Sequence, residues 1–131
     1  MNLRARLRDE FDRRVARNPR YSLRAFARAL GTEHSTLRRI LDGRRRLTRS
    51  VIEQLGVRLR LSPAEVTAAC ADENARRILD LACDPRFRPD CRWIAVMSGI
   101  DLDDVNRTLH RLIYDRRLEL RSAATWVVRA P

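Results

Sequence analysis

The chain consists of short amphipathic segments, each bounded by residues that begin or end a helix. In the first segment an apolar residue stands at every fourth position from Leu3 to Val15, which is the spacing of one helix face. Asn18-Pro19 ends this pattern, because proline clashes with a helix that continues behind it. Segments of this length and period favour a fold built mainly from short α-helices.

Further start and stop signals follow in the first half of the chain. Ser22 and Thr48 are typical N-cap residues, whose hydroxyl groups accept from the first free backbone N–H groups of a helix. Gly31 and Gly43 suit the left-handed position just past a helix end. These signals predict a second helix that ends at Gly31, a third helix at 33–42, and a fourth helix after Thr48.

A long helix and a linker are predicted near the middle of the chain. The Ser-Pro-Ala-Glu run at 62–65 is a capping box with proline at the first helical position. We expect the helix that it begins to end by Asp84-Pro85, and residues 86–90, with two prolines nearby, to form a linker. The sequence therefore predicts two domains, residues 1–84 and residues 85–131.

The second predicted domain contains two more helices and a hairpin. Asp90 and Asp101 suit N-cap positions, and Gly99 ends the helix between them. The helix after Asp101 is expected to bury an apolar stripe: Val105, Leu109, Leu112 and Ile113. The runs at 118–120 and 126–128 have β-prone residues and predict two short strands. Four glycines and an aromatic content of 5% argue against a larger sheet. The expected fold class is mainly α with a short C-terminal β-hairpin.

Every basic side chain is an arginine, and these arginines are unevenly distributed. Residues 1–60 hold 17 arginines and six acids, a net charge of +11, whereas residues 61–131 hold 11 of each, a net charge of 0. Arginine stays charged, and its planar group binds phosphate oxygens and guanine edges. A GC-rich genome would account for the absence of lysine but not for the asymmetry. The pattern predicts a nucleic-acid-binding module attached to a neutral segment.

Several features bear on the compartment. No apolar run approaches the ~20 residues of a membrane span, and no signal-peptide pattern opens the chain. Cys70, Cys83 and Cys91 are odd in number and include no C-x-x-C pair, so we expect buried, reduced cysteines rather than disulfides or a metal site. We expect a cytoplasmic, nucleoid-associated protein without a membrane contact.

The sequence offers no catalytic constellation. His34 and His110 lie in different predicted domains, and neither has a carboxylate four residues away. Asp103 and Asp104 would point in different directions on a helix, and no glycine-rich phosphate loop is present. We therefore expect a binding protein rather than an enzyme, with no cofactor, no metal and no small-molecule ligand.

Residues 22–46, SLRAFARALGTEHSTLRRILDGRRR, resemble the helix-turn-helix of Cro and λ-repressor-like regulators. The resemblance rests on Ala27, which is small where the two helices cross closely, and on Gly31 in the turn. The apolar Leu37 and Ile40 also fit the pattern. The resemblance implies a five-helix DNA-binding domain in which the helix after the turn enters the major groove.

A longer resemblance covers most of the chain. The run RNPRYSLRAFARALG at 17–31 is similar to the opening of a bacterial family of regulators that pair this helix-turn-helix with a downstream winged-helix-like segment. The run RPDCRWIAVMSGIDLDDVNRTLHRLIYDRRLEL at 88–120 resembles that second segment, with its own turn at Gly99. The resemblance implies a repressor-like helical domain followed by a small winged-helix-like unit.

The first resemblance also implies which residues contact DNA. Base edges are contacted from the start of the helix after the turn, and phosphates from its flanks. The base-reading candidates are His34, Ser35, Thr36, Arg38 and Arg39. The phosphate-binding candidates are Ser22, Arg24, Arg44, Arg45 and Arg46. Glu33 departs from the pattern, which usually has a small hydroxyl residue at that position.

The second unit is not expected to read DNA in the same way. Its second helix begins with three carboxylates, which would repel a phosphate backbone. A protein–protein role, either dimerisation or docking to another regulator, fits better, and a wing that touches a phosphate through Arg121 or Arg129 is the alternative. The apolar candidates for a protein contact are Trp93, Ile100, Tyr114 and Trp126, with core packing expected for both tryptophans.

These observations predict a sequence-specific double-stranded DNA-binding protein that regulates transcription, as a repressor rather than an activator because no activation surface is evident. One reading helix per chain predicts a homodimer, with residues 85–131 as the candidate contact. Two alternatives stay open. One is a non-specific architectural protein that contacts phosphates alone, and the other is an adaptor whose basic face contacts an acidic protein or RNA.

Overall fold

The computed structural model describes residues 2–129 and is mainly α-helical. The described part contains seven helices and one antiparallel pair of strands, which confirms the predicted fold class. The helices are α1 (Leu3–Arg17), α2 (Leu23–Leu30), α3 (His34–Leu41), α4 (Arg49–Arg58), α5 (Pro63–Ala82), α6 (Cys91–Ser98) and α7 (Leu102–Tyr114). The strands are β1 (Leu118–Leu120) and β2 (Trp126–Val128).

The chain divides into two compact units, Met1–Cys70 and Ala71–Pro131. The division falls inside α5, whose first part belongs to unit 1 and whose remainder belongs to unit 2. The predicted division into functional domains at 1–84 and 85–131 stays a prediction.

Hydrogen bonds at the helix ends match the sequence signals. The Thr48 hydroxyl accepts from the Val51 N–H at 3.3 Å, as expected of an N-cap. At the start of α5, the Ser62 N–H donates to Glu65 Oε2 at 2.7 Å, and the Glu65 N–H donates to Ser62 Oγ at 3.2 Å. This reciprocal pair is the predicted capping box, and it satisfies two backbone donors that the helix itself leaves free.

The core of unit 1 is formed where α1 to α4 meet. Leu7, Phe26, Leu37 and Ile40 are fully buried there, and Ile52 of α4 is almost so. These side chains come from positions that the apolar periodicity selects on each helix. Burial of such large apolar groups supplies most of the stabilisation of a small helical unit.

An aromatic cluster joins α1 to α2. The rings of Phe11 and Phe26 are 5.5 Å apart, and the Arg14 guanidinium lies 5.2 Å from the centroid of the Phe26 ring. Arg14 also donates to the Tyr21 hydroxyl at 3.0 Å, and this hydrogen bond raises the pKa of Arg14 above its ordinary value. Arg14 therefore belongs to the packing of the unit rather than to its free basic surface.

The core of unit 2 combines the end of α5 with the last two helices and the hairpin. Ile78, Ile94, Val105, Leu112 and Leu118 are fully or almost fully buried in it. The strands pair in the register Leu118↔Val128, and Leu118, the first residue of β1, is buried in this core. The two β-prone runs in the sequence thus form the predicted hairpin.

Three expectations about burial are wrong. Ile113 is 42% exposed, because it lies one residue past Leu112 and so points about 100° away from the buried stripe of α7. Ile100 is only 6% exposed and packs in the core, so it cannot contribute to an outer apolar surface. Cys83 is exposed rather than buried, since it follows the last residue of α5.

Gly56 lies inside α4, where an added Cβ would come within 2.9 Å of Val66 Cγ2. We expect Gly56→Ala to lower the free energy of unfolding by about 1 kcal/mol, because overpacking of ~1–3 kcal/mol exceeds the ~1 kcal/mol that alanine gains in helix propensity. Urea denaturation measures the change. Val66→Ala in the same chain should remove the clash, and a Gly56→Ala protein more stable than the parent would contradict this packing.

Candidate nucleic-acid interface

Helices α2 and α3 are joined by a tight turn at Gly31. Gly31 has φ = 71°, a left-handed conformation that glycine adopts without strain. The Gly31 N–H donates to Arg28 O at 3.1 Å, and the Thr32 N–H donates to Ala27 O at 3.0 Å, so the end of α2 is satisfied. Ala27 is buried, as expected where two helices approach closely. The segment is a helix-turn-helix.

The exposed face of α3 carries a hydroxyl and two guanidinium groups. Leu37 and Ile40 are fully buried on the opposite side of the helix. Ser35, Arg38 and Arg39 are exposed, and positions three and four residues apart lie next to each other on a helix. Three of the predicted base-reading side chains are therefore presented together, away from the core.

Two other predicted base-reading residues lie at the edges of that face. His34 and Thr36 are half-buried, and each stands about 100° from Ser35 around the helix. Their side chains therefore border the core as well as the exposed surface, which leaves them less free to reorient than Ser35.

The loop after α3 folds back onto the helix. Gly43, with φ = 74°, donates its N–H to Ile40 O at 3.1 Å. The N–H groups of Arg44 and Arg45 both donate to Arg39 O, at 2.9 and 3.2 Å. The exposed side chains of the loop, which include Arg46, thus begin directly beyond the last turn of α3.

Two arginines of α1 also contact this end of α3. Arg4 Nε donates to Ile40 O at 3.0 Å, and Arg4 Nη2 donates to Arg45 O at 3.0 Å. Arg8 donates to Leu41 O. Sequence reasoning missed this contact, because it counted both arginines only as part of a basic surface.

The arginines of unit 1 differ in whether a carboxylate neutralises them. Arg13 and Arg14 both pair with Glu10, at 2.7 and 3.1 Å, and Arg49 pairs with Glu53 at 3.1 Å. Within residues 2–129, by contrast, the predicted interface arginines have neither an ion pair nor a side-chain hydrogen bond: Arg24, Arg38, Arg39, Arg44, Arg45 and Arg46. They keep their full hydrogen-bonding capacity for a ligand.

The start of α2 presents a serine hydroxyl. Ser22 Oγ accepts from the Ala25 N–H at 3.1 Å, so one lone pair serves as the predicted N-cap. A hydroxyl also has one hydrogen to donate, and Ser22 is exposed, which leaves that hydrogen available to an anion. Arg24, the second residue of the helix, is exposed as well.

The corresponding surface of unit 2 is more nearly neutralised. Asp101 caps α7 by accepting from the Asp103 N–H at 2.8 Å, and Asp104 pairs with Arg107 at 2.8 Å. The first turn of α7 is therefore acidic, as predicted. These carboxylates interact favourably with the positive end of the helix dipole, but they would repel a phosphate group.

The hairpin arginines are also paired. Glu119 accepts from Arg129 and lies 3.9 Å from Arg121 Nε. The two arginines that the wing alternative depends on are thus partly neutralised by one carboxylate. Phosphate binding by this hairpin would have to compete with that carboxylate.

Two other kinds of feature are absent from the described residues. In residues 2–129, no three or more histidine, cysteine, aspartate or glutamate side chains lie together in a way that could hold a metal ion. None of the helices described is both long and apolar enough to cross a membrane.

Comparison with known proteins identifies a family. The model of a family described as a helix-turn-helix domain matches residues 3–69, which is slightly more than half of the chain and includes α1 to α4. No curated protein and no solved structure matches the chain.

Glu33 is the N-cap residue of α3, but its side chain makes no capping hydrogen bond. We expect Glu33→Ser to raise the free energy of unfolding by about 1 kcal/mol, because serine at an N-cap accepts from a free backbone N–H. Ser22→Ala, which removes an existing cap, should lower it by about the same amount. Thermal and urea denaturation of both variants measure the changes. A Glu33→Ser protein less stable than the parent would show that the carboxylate stabilises α3 in another way.

Proposed function

Since the chain belongs to the helix-turn-helix domain family, and is thus a DNA-binding protein, we propose that it regulates transcription by binding a specific double-stranded sequence. A repressor role fits a small protein of this kind, associated with the nucleoid. The domain is a binding module, and the chemistry of its exposed side chains is that of recognition rather than catalysis.

The observation that carries the proposal is the exposed face of α3. Ser35, Arg38 and Arg39 stand on the side opposite the buried Leu37 and Ile40, and neither arginine is engaged with another side chain of the described residues. In the proposed complex this face enters the major groove, where arginine binds the O6 and N7 atoms of guanine in a bidentate way. His34 and Thr36, at the edges of the face, contact bases or the adjacent backbone.

Phosphate contacts flank this face in the proposed complex. Arg44, Arg45 and Arg46 follow the end of α3, and Ser22 and Arg24 stand at the start of α2. Such contacts set the position of the protein on the duplex and account for most of the salt dependence of binding. They carry no sequence information of their own.

Unit 2 is proposed to hold two copies of the chain together. Unit 1 holds 17 arginines against seven acids, a net charge of +10, whereas unit 2 holds 11 against 10, a net charge of +1. Two copies of unit 1 repel each other strongly, whereas two copies of unit 2 repel each other only weakly.

The exposed apolar side chains are also distributed unevenly between the two units. Of the seven large hydrophobic side chains that are exposed within residues 2–129, only Val57 belongs to unit 1. The exposed ones in unit 2 are Val96, Met97, Leu102, Ile113, Tyr114 and Leu120. We therefore propose a homodimer that forms through residues 85–131, with a winged-helix-like arrangement of α6, α7 and the hairpin. Its two reading helices would bind half-sites about one helical turn apart.

The roles of Arg38 and Arg45 can be separated by selecting bound duplexes from a random pool at ~0.15 M salt with the parent protein and each alanine variant. We expect Arg38→Ala to change the preferred sequence at one position, with a loss of about 1–3 kcal/mol of discrimination there. Arg45→Ala should keep the preferred sequence, weaken all duplexes alike and reduce the salt dependence by about one phosphate contact.

Other results of the selection point to other functions. If both variants weaken all sequences equally and no motif is enriched, the protein is a non-specific architectural binder. If the parent protein retains no duplex at this salt concentration, its basic face serves an acidic protein or RNA instead.

Tyr114 is 87% exposed and Ile113 is exposed beside it, so replacing both with aspartate should not disturb the core. We expect the double variant to sediment as a monomer while the parent protein sediments as a dimer, because the proposed contact would bury both side chains. Val57→Asp is the matched control, since Val57 is 77% exposed but lies in unit 1. Monomeric sedimentation of the parent protein, alone and bound to DNA, would contradict the dimer.

A further inference from the structure

The end of α3 has a complete set of hydrogen-bond donors, and two of them come from another helix. The last four carbonyl groups of any α-helix have no partner within the helix. In α3, backbone N–H groups beyond the helix donate to the first three of these carbonyls: Arg38 O, Arg39 O and Ile40 O. Leu41 O accepts from Arg8, and Ile40 O also accepts from Arg4. Arg8 thus supplies the donor that the loop backbone does not, and Arg4 adds a second donor to Ile40 O.

Arg4 joins two segments that are separate along the backbone. Its Nε bonds to Ile40 O, within α3, and its Nη2 bonds to Arg45 O, in the basic loop, each at 3.0 Å. Gly43, in a left-handed conformation, lies between these two acceptors. A guanidinium group can span both carbonyls because its donors point in fixed, divergent directions, whereas a lysine ammonium is a single point of charge.

The position of the two arginines follows from the packing of α1. Leu3 and Leu7 are buried in the core of unit 1, and the next residue along the chain is in each case an arginine that bonds to the end of α3. Arg4 and Arg8 are four residues apart, so they are neighbours on one side of α1. The same apolar stripe that anchors α1 therefore aims both guanidinium groups at the end of α3.

The loop at 44–46 carries charges that oppose its folded conformation. Arg44, Arg45 and Arg46 are consecutive, exposed and without an ion pair in the part of the chain described. Three adjacent like charges repel one another and favour an extended loop. Hydrogen bonds from the loop backbone to Arg39 O, and from Arg4 to Arg45 O, oppose that tendency.

We infer that Arg4 and Arg8 are positioning residues, which hold the end of α3 and the 44–46 loop in the arrangement that binds DNA. Arg4 donates to Ile40 O and Arg45 O, and Arg8 donates to Leu41 O, so the role inferred for them is to hold these backbone groups rather than to bind phosphates. We call the hydrogen bonds from Arg4 and Arg8 to the end of α3 and to the loop the arginine clamp. The inference rests on the proposed function for its consequence in DNA binding, but the clamp itself is present in the free protein.

The clamp is tested first without DNA. In Arg4→Ala, hydrogen exchange of the Arg44 and Arg45 amides, measured by NMR, should accelerate about tenfold, because the loop opens more often. Arg13→Ala is the matched control, since it removes the same charge from α1, and within residues 2–129 the Arg13 guanidinium pairs only with Glu10. Exchange at both amides that is unchanged in Arg4→Ala would overturn the clamp.

Binding to the selected duplex then tests the consequence. Arg4→Ala should weaken binding about tenfold with the salt dependence unchanged, and Arg4→Lys should recover only part of the loss. Arg13→Ala should bind within about twofold of the parent protein.

Other results of these experiments would show whether the positioning role of Arg4 or the proposed function is wrong. Full recovery by Arg4→Lys, or a salt dependence reduced as in Arg45→Ala, would mean that Arg4 contacts phosphate and the inference is wrong. If the parent protein binds no duplex, the proposed function fails, while the exchange rates still decide whether the clamp exists.

Discussion

The burial of Leu37 and Ile40 fixes the rotation of α3, and the candidate interface depends on that rotation. Both side chains belong to one core cluster with Phe26 and Ala27 of α2, and α2 and α3 pack together. A helix held on one side by two fully buried residues can present only the opposite side to a ligand. The identity of the exposed residues is therefore set by packing, before any electrostatic attraction operates.

Arginine serves three purposes in unit 1. Arg14 covers an aromatic cluster, and Arg4 and Arg8 bind carbonyl groups at the end of α3. Arginines such as Arg38 and Arg45 carry neither an ion pair nor a side-chain hydrogen bond within residues 2–129. The net charge of unit 1 thus overstates how many of its cations are available for DNA, since several are already committed to the fold or to a carboxylate.

Local chemistry explains how much of the fold the sequence predicts. The caps at Ser22 and Thr48 and the capping box at Ser62 involve residues within three positions of each other, and all form as expected. The left-handed glycines at the helix ends are likewise a local preference. Helix limits and the hairpin could therefore be predicted from neighbouring residues alone.

Long-range contacts account for what the sequence did not predict. The bond from Arg4 to Ile40 O joins positions 36 residues apart and uses a backbone acceptor, which no side-chain pattern marks. Ile113 fits an apolar run, but the exact direction of the buried stripe of α7 decides that it is exposed. For the candidate interface, the sequence indicated the residues, while the separation of paired from unpaired arginines needed the structure.

We propose that α3 reads guanine in the major groove through Arg38 or Arg39. The most direct test replaces the guanines of the selected duplex one at a time with 7-deazaguanine. This base lacks the N7 acceptor, and the substitution leaves every phosphate in place. We predict a loss of about 1–3 kcal/mol of binding free energy at particular guanines, which the Arg38→Ala or Arg39→Ala protein no longer shows. Equal affinity for all substituted duplexes would contradict the claim and leave phosphate contacts as the whole of the recognition.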